Sequence, residues 1–131
     1  MVGDPVGDLI VRLTNAGAVR KESLSVPYSK LKHAVVDKLV ERGYVVSAEK
    51  HGKKVSKTLE VVLKYNADGS AFIRGVKRMS KPGRRLYTNA SGIHAVKFGK
   101  GLMILSTPKG ILTGDEARKE NVGGEQMFII W

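Results

Sequence analysis

Leu102-Met103-Ile104-Leu105-Ser106-Thr107-Pro108-Lys109-Gly110-Ile111-Leu112-Thr113-Gly114-Asp115-Glu116 reads without a break as strand, turn, strand and helix start. Residues 102–106 and 111–112 are the apolar arms of a hairpin. Between them Pro108 and Gly110 take the second and fourth positions of a turn, which suits type I. Thr113 and Glu116, three residues apart, spell a capping box, so a short helix is predicted from Gly114 to about Glu120. Gly123-Gly124 then breaks the chain before a last strand at residues 127–130. Upstream, residues 71–79 and 85–88 read as two more strands. They are joined through Lys81-Pro82-Gly83-Arg84, where Pro presets φ and Gly tolerates φ > 0, the requirements of a type II turn.

The first half has a different rhythm. Asp4-Pro5 opens a helix, with Asp as N-cap and Pro at the first helical position. Val6, Leu9, Ile10 and Leu13 follow at i, i+3, i+4 and i+7, and the helix is expected to fray near Asn15-Ala16-Gly17. A short strand at residues 23–26 leads to Ser29, which caps a second helix. That helix is read with Leu31, Ala34, Val35 and Leu39 inward and Gly43 as its stop. Residues 44–49 and 58–65 read as strands around a basic, solvated loop at residues 51–57. Asn66-Ala67-Asp68-Gly69 is a turn signal and the expected boundary. The predicted class is α+β: an N-terminal αβαββ half, residues 1–67, packed against a mainly β C-terminal half, residues 68–131, with one short helix.

Charge narrows the function. The chain carries 23 Lys and Arg against 12 Asp and Glu, a net +11 with pI near 10.0, which attracts polyanions and above all nucleic acid. Between Asp68 and Asp115 there is no carboxylate, yet Arg74, Lys77, Arg78, Lys81, Arg84, Arg85, Lys97, Lys100 and Lys109 lie there. Nine cations without an internal counter-charge point to a polyanion-facing second half rather than to salt-bridge decoration. A basic module for an acidic protein or an anionic lipid is the rival reading.

Catalysis finds little support. There is no cysteine, hence no thiolate nucleophile or thiolate metal site. His33, His51 and His94 are scattered, without a zinc spacing. Gly99-Lys100-Gly101 completes no phosphate-loop pattern and reads as a strand entry. No apolar run approaches the roughly 20 residues of a spanning helix, and the first residues do not resemble a signal peptide. No enzyme activity, cofactor or metal is expected.

The hairpin holds two hydroxyls, an ammonium and a glycine on one rigid turn. Hydroxyls can pair with base edges, phosphates and 2′-hydroxyls, Lys109 can meet phosphate, and Gly110 lets a backbone come close. An ordinary surface turn uses the same residue types, and composition alone leaves both open.

Several stretches resemble the bacterial-type ribosomal small-subunit protein eight family. They are Asp4-Pro5 with the helix ending at Asn15, Pro27-Tyr28-Ser29-Lys30-Leu31-Lys32, and Glu41-Arg42-Gly43-Tyr44. Ser80-Lys81-Pro82-Gly83-Arg84-Arg85-Leu86-Tyr87, Ser106-Thr107-x-Lys109-Gly110-x-x-Thr113, Glu116-Ala117-Arg118 and Gly123-Gly124-Glu125 follow in order. The resemblance spans nearly the whole chain. It implies a structural constituent of the small ribosomal subunit that binds a bulged helix in the central domain of small-subunit ribosomal RNA and supports assembly. It also implies neighbouring small-subunit proteins as partners, a cytoplasmic or organellar ribosome as location, a monomer when free, and repression of its own messenger RNA as a further role. By resemblance Ser106, Thr107, Lys109, Gly110, Tyr87, Gly124 and Glu125 form the main RNA site, and Asn15, Ser29 and Lys30 a second contact. Tyr87 could instead be core. Glu125 could accept from a base amino group, orient the Ser106 or Tyr87 hydroxyl, or bond to the Gly123-Gly124 turn. Three departures stand out: Pro108 where the family usually has Ser, Thr14 where Arg is common, and an unmatched connection at residues 51–57.

Overall fold

The computed structural model describes residues 4–53, 55–93 and 101–131. His94, Lys97, Lys100 and most of the Gly99-Lys100-Gly101 step lie outside the described residues. The chain divides into two compact units, one of Asp8–Ile73 and one of Met1–Gly7 with Arg74–Trp131. The α+β class holds: three α-helices and eight strands are present among the described residues.

Helix α1, Pro5–Ala18, starts as expected, with the Gly7 amide donating to Asp4 Oδ1 at 3.1 Å. Val6, Leu9, Ile10 and Leu13 are all buried. The helix does not fray at Asn15; it runs to Ala18, and the turn is made by Arg20 at φ 57° with the Lys21 amide closing onto the Ala16 carbonyl. Strand β1, Ser23–Pro27, pairs antiparallel with β3, Thr58–Leu63, which pairs antiparallel with β2, Val45–His51. The order β1-β3-β2 puts β3 in the centre, and Leu59, Val61 and Leu63 on alternate positions are buried, as the alternation predicts.

Helix α2, Lys30–Glu41, packs along β2. Ser29 Oγ accepts from the Lys32 amide, and the Gly43 and Tyr44 amides donate to the Val40 and Leu39 carbonyls. With Gly43 at φ 80° this is the left-handed helix stop. The inner face differs from the expectation. Lys32, Val35, Val36 and Leu39 are buried, while Leu31 is 39% exposed and Ala34 only half-buried. Val35 and Leu39 hold the stripe as expected, and Lys32 rather than Leu31 is buried beside them. At the Asn66–Gly69 turn Tyr65 bridges Ala71, and this unit continues to Ile73.

The second unit is built on β8, Gly124–Ile130. It pairs antiparallel with β4, Val76–Arg78, and β5, Tyr87–Thr88, on one side, and with β6, Leu102–Thr107, on the other. Strand β7, Gly110–Thr113, completes the order β4-β8-β6-β7. The long strand expected at residues 71–79 is only β4. Before it, the Arg74 and Gly75 amides both donate to the Trp131 carbonyl, and a Cβ on Gly75 would meet the Trp131 indole at 2.6 Å. Helix α3, Gly114–Glu120, begins where the capping box puts it: Glu116 Oε1 accepts from the Thr113 amide at 2.9 Å, and Thr113 Oγ1 accepts from the Glu116 amide. It lies on β6 and β7, and Ala117, Leu105 and Ile93 form a core cluster with Met103, Leu112 and Val122. Lys81-Pro82-Gly83-Arg84 is not a type II turn. Gly83 does not have positive φ, and the Lys81 and Arg84 backbones exchange both hydrogen bonds at 2.9 Å, a tight turn any residue could follow. The positive φ appears instead at Gly110, 106°, where the chain leaves the Pro108-Lys109 turn and re-enters β7.

Candidate nucleic-acid interface

Strand register brings the second-half candidates together. Tyr87 stands opposite Glu125, Glu125 opposite Ser106, and Ser106 opposite Ile111. Side chains of directly opposed residues share one face of a sheet, about 4.5–5.5 Å apart at Cβ. Tyr87, Glu125 and Ser106 therefore form a row across three strands. Tyr87 is 71% exposed, which removes the core alternative and leaves its ring open to stacking. Among the described residues neither the Tyr87 nor the Ser106 hydroxyl has a hydrogen-bond partner, so both are free for a ligand.

Glu125 makes a contact the sequence reading did not include. Its Oε2 accepts from Arg85 Nη1 at 3.0 Å, with the carboxylate mostly covered and the guanidinium about half exposed. Among the described residues Glu125 makes no side-chain bond to the Gly123-Gly124 turn or to the Ser106 or Tyr87 hydroxyl. The signal for Arg85 is its position two residues before Tyr87, but only the fold, which pairs Tyr87 with Glu125, reveals the partner. At the end of β4, Arg78 also holds a carboxylate: both its terminal nitrogens meet Asp4, while its buried Nε has no partner among the described residues. Burial lowers the Arg78 pKa, Arg85 lowers it further and Glu125 raises it, so the three charges feel one another.

The hairpin end is more internally committed than its composition suggested. Thr107 Oγ1 donates to the Gly110 carbonyl at 2.8 Å and accepts from the Lys109 amide at 3.1 Å. Its donor is spent on the turn, and one lone pair remains. Lys109 Nζ reaches Glu120 Oε2 at 3.2 Å, with both side chains more than half exposed. Such a pair contributes about 0–1 kcal/mol, little enough for a phosphate to displace it. Around Gly110 a Cβ would meet nothing within 4 Å, so the approach to this backbone is open. Gly124 is the opposite case. A Cβ there would sit 2.2 Å from the Ser106 carbonyl oxygen, so glycine is required by the β8–β6 approach itself.

The other unit carries the second group of candidates. Asn15 lines an open cleft of about 420 Å³ with Arg12, Lys21, Ser23 and Ser25. Ser29 and Lys30 are not among its lining residues; Ser29 is the cap of α2 and Lys30 its first residue. Arg12, Lys21 and the two serines were not singled out from the sequence, because helix α1 and strand β1 meet only in the fold. Nor was the group Glu49, His51 and Glu60, whose ligand atoms lie within 4.8 Å of one another across β2 and β3. His51 Nε2 stands 3.4 and 3.5 Å from the Glu49 and Glu60 carboxylates on an exposed sheet face. No described helix is long and apolar enough to cross a membrane.

A family profile described as Ribosomal protein S8 matches residues 4–131. The chain is 44% identical over 130 residues to the small ribosomal subunit protein uS8 of Mycoplasmopsis agalactiae, covering 99% of this chain and 98% of that one. It is 46% identical over 129 residues to the protein of that name from Mycoplasmopsis synoviae, with 98% and 97% covered. Against that of Dictyoglomus turgidum it is 43% identical over 130 residues, with 99% and 98% covered. With identity at this level along both full lengths, the chain belongs to the ribosomal protein S8 family, structural RNA-binding constituents of the small ribosomal subunit and not enzymes.

Proposed function

We propose that this protein binds a bulged helix in the central domain of small-subunit ribosomal RNA and reads it with the sheet face formed by β5, β8 and the β6–β7 hairpin. The observation that carries the reading is the row Tyr87, Glu125, Ser106, with an exposed ring, a covered carboxylate and a free hydroxyl on one face. A regular duplex offers such a row little, because its bases are stacked and its deep major groove is closed to side chains. Splayed bases offer ring faces and hydrogen-bonding edges. Thr107, Lys109 and Gly110 contribute a lone pair, a charge and an open backbone beside them, and Gly124 keeps β8 close enough to hold Ser106 in place. Residues 68–131 are thus the main RNA-binding part, while Asn15, Ser29 and Lys30 in the αβαββ part make a second contact. The free protein is a monomer. A messenger RNA that folds into the same bulged shape would meet the same surface, which supports a translational repressor role on its own message.

The test is a pair of titrations, one with a bulged hairpin from the central domain and one with a plain duplex of equal length. About four to six phosphate contacts should give a slope of log K against log salt of about −3 to −5 for both RNAs. Ser106→Ala should weaken only the bulged target, by about 1–3 kcal/mol, with the slope unchanged because no charge is lost. Equal loss on both RNAs would remove Ser106 as a reader, and a slope near zero would remove the polyanion reading altogether.

A further inference from the structure

We infer that Arg85 is a positioning residue of the RNA-reading face, which holds the Glu125 carboxylate between Tyr87 and Ser106 so that it accepts an exocyclic amino group of one unpaired base. This rests on the RNA-binding reading and adds the chemistry of the base.

A carboxylate on a surface meant for a polyanion is repelled by every phosphate nearby, and this one sits in the middle of the row rather than at its rim. Arg85 changes that. At 3.0 Å its guanidinium cancels the charge of Glu125 locally and occupies Oε2, leaving Oε1 without a partner among the described residues. An ionised carboxylate can only accept, and phosphate oxygens have nothing to donate. The donors an RNA can bring are base N–H groups and 2′-hydroxyls. The neighbour on one side selects between them. Tyr87 is the exposed ring directly opposite Glu125 in register, so a base stacked on Tyr87 lays its edge over the next strand, where Oε1 is. Ser106, opposite Glu125 on the far side, can both donate and accept, and so completes the edge. By sequence alone Arg85 belongs with the cations that face a polyanion. In the fold one of its terminal nitrogens is turned to Glu125 instead, and Lys81 and Arg84 are left for the backbone.

The experiment uses the full chain and hairpins carrying a single bulged nucleotide, in three matched pairs: adenosine against purine riboside, guanosine against inosine, and cytidine against its analogue lacking the 4-amino group. The wild-type protein should prefer the amino-bearing member of at least one pair by about tenfold, the size of one directional base contact. Arg85→Ala should bring that ratio close to one, because an untethered carboxylate loses its aim and repels phosphate. Arg85→Lys, which restores the charge but not the planar fork, should recover part of the ratio. In a Glu125→Gln background, Arg85→Ala should change the ratio no further, since the group it positions has gone. If Arg85 served the fold alone, both members of a pair would weaken equally and the ratio would stand, which overturns the inference. A ratio that depends on 2′-deoxy substitution rather than on the amino group overturns it as well. Bulge-against-duplex selectivity is read in the same titrations: if that is intact while every amino ratio is near one, only the role of Arg85 and Glu125 fails, and if it is lost in the wild type the RNA-binding reading itself fails. Should Arg85→Ala not fold, Arg85→Gln makes the same comparison.

Discussion

Replacing Gly124 with alanine should damage stability and selectivity together, and the size of the damage follows from one distance. The added Cβ would lie 2.2 Å from the Ser106 carbonyl oxygen and 3.0 Å from Thr107 Cγ2. A carbon and a carbonyl oxygen sit comfortably at about 3.3–3.6 Å, so β8 and β6 must part by about 1 Å. The obstructing atom is backbone in a paired strand and cannot swing away as a side-chain tip would. Overpacking a core costs about 1–3 kcal/mol, and a fixed obstacle belongs at the upper end. For a chain of this length that is a fall in Tm of about 6–15 °C. Trp131 is the sole tryptophan and lies over Gly75 in the same unit, so its fluorescence reports the transition. The displaced carbonyl belongs to Ser106, so discrimination between bulged and duplex RNA should narrow even at temperatures where the variant is folded. Gly83→Ala is the control: Gly83 lacks positive φ and has nothing within 4 Å, so alanine there should be neutral or stabilising by about 0.5 kcal/mol. A Gly124→Ala protein that melts within about 1 °C of the wild type would refute the steric argument.

Two further outcomes test other parts of the unit. Thr113→Ala removes a fully buried cap whose hydroxyl serves the Glu116 amide, and should cost about 1–2 kcal/mol in denaturant titration, with Thr113→Ser recovering most of it. Asp4→Asn keeps the cap on Gly7 but removes the charge from Arg78, so it should cost about 1–3 kcal/mol in thermal unfolding, whereas equal effects of Asp4→Asn and Asp4→Ala would show the cap to be irrelevant.

What could be read from the sequence was local. The capping box at Thr113, the stop at Gly43, the apolar face of α1 and the alternation in β3 each depend on residues within one or two turns of chain, and each stands in the fold. The misreadings have a common cause. Residue type favours positive φ at Gly83, but a Pro-Gly turn closes equally well without it. Periodicity turns Leu31 inward, yet a one-residue ambiguity in a helix face is resolved only by what packs on it, here β2. The row of site residues was legible as a list of names, since the family resemblance supplied it. Its geometry was not, because Tyr87, Ser106 and Glu125 become neighbours only through strand register. The Arg85–Glu125 pair spans forty positions, and no local pattern announces it.

The place of β8 also dictates when the protein can fold. This strand follows every other element in the chain, and β4, β5 and β6 all take their hydrogen bonds from it. During synthesis the chain emerges in order, and residues 8–73 form a continuous stretch whose own sheet is complete once β3 is out. The other unit must wait. Asp4 has its partner 74 positions later, at Arg78, and Arg78 in turn pairs with Phe128 on β8. A growing chain therefore carries one finished part and one set of unmatched strand edges, and the row of Tyr87, Glu125 and Ser106 does not exist until β8 arrives to join it.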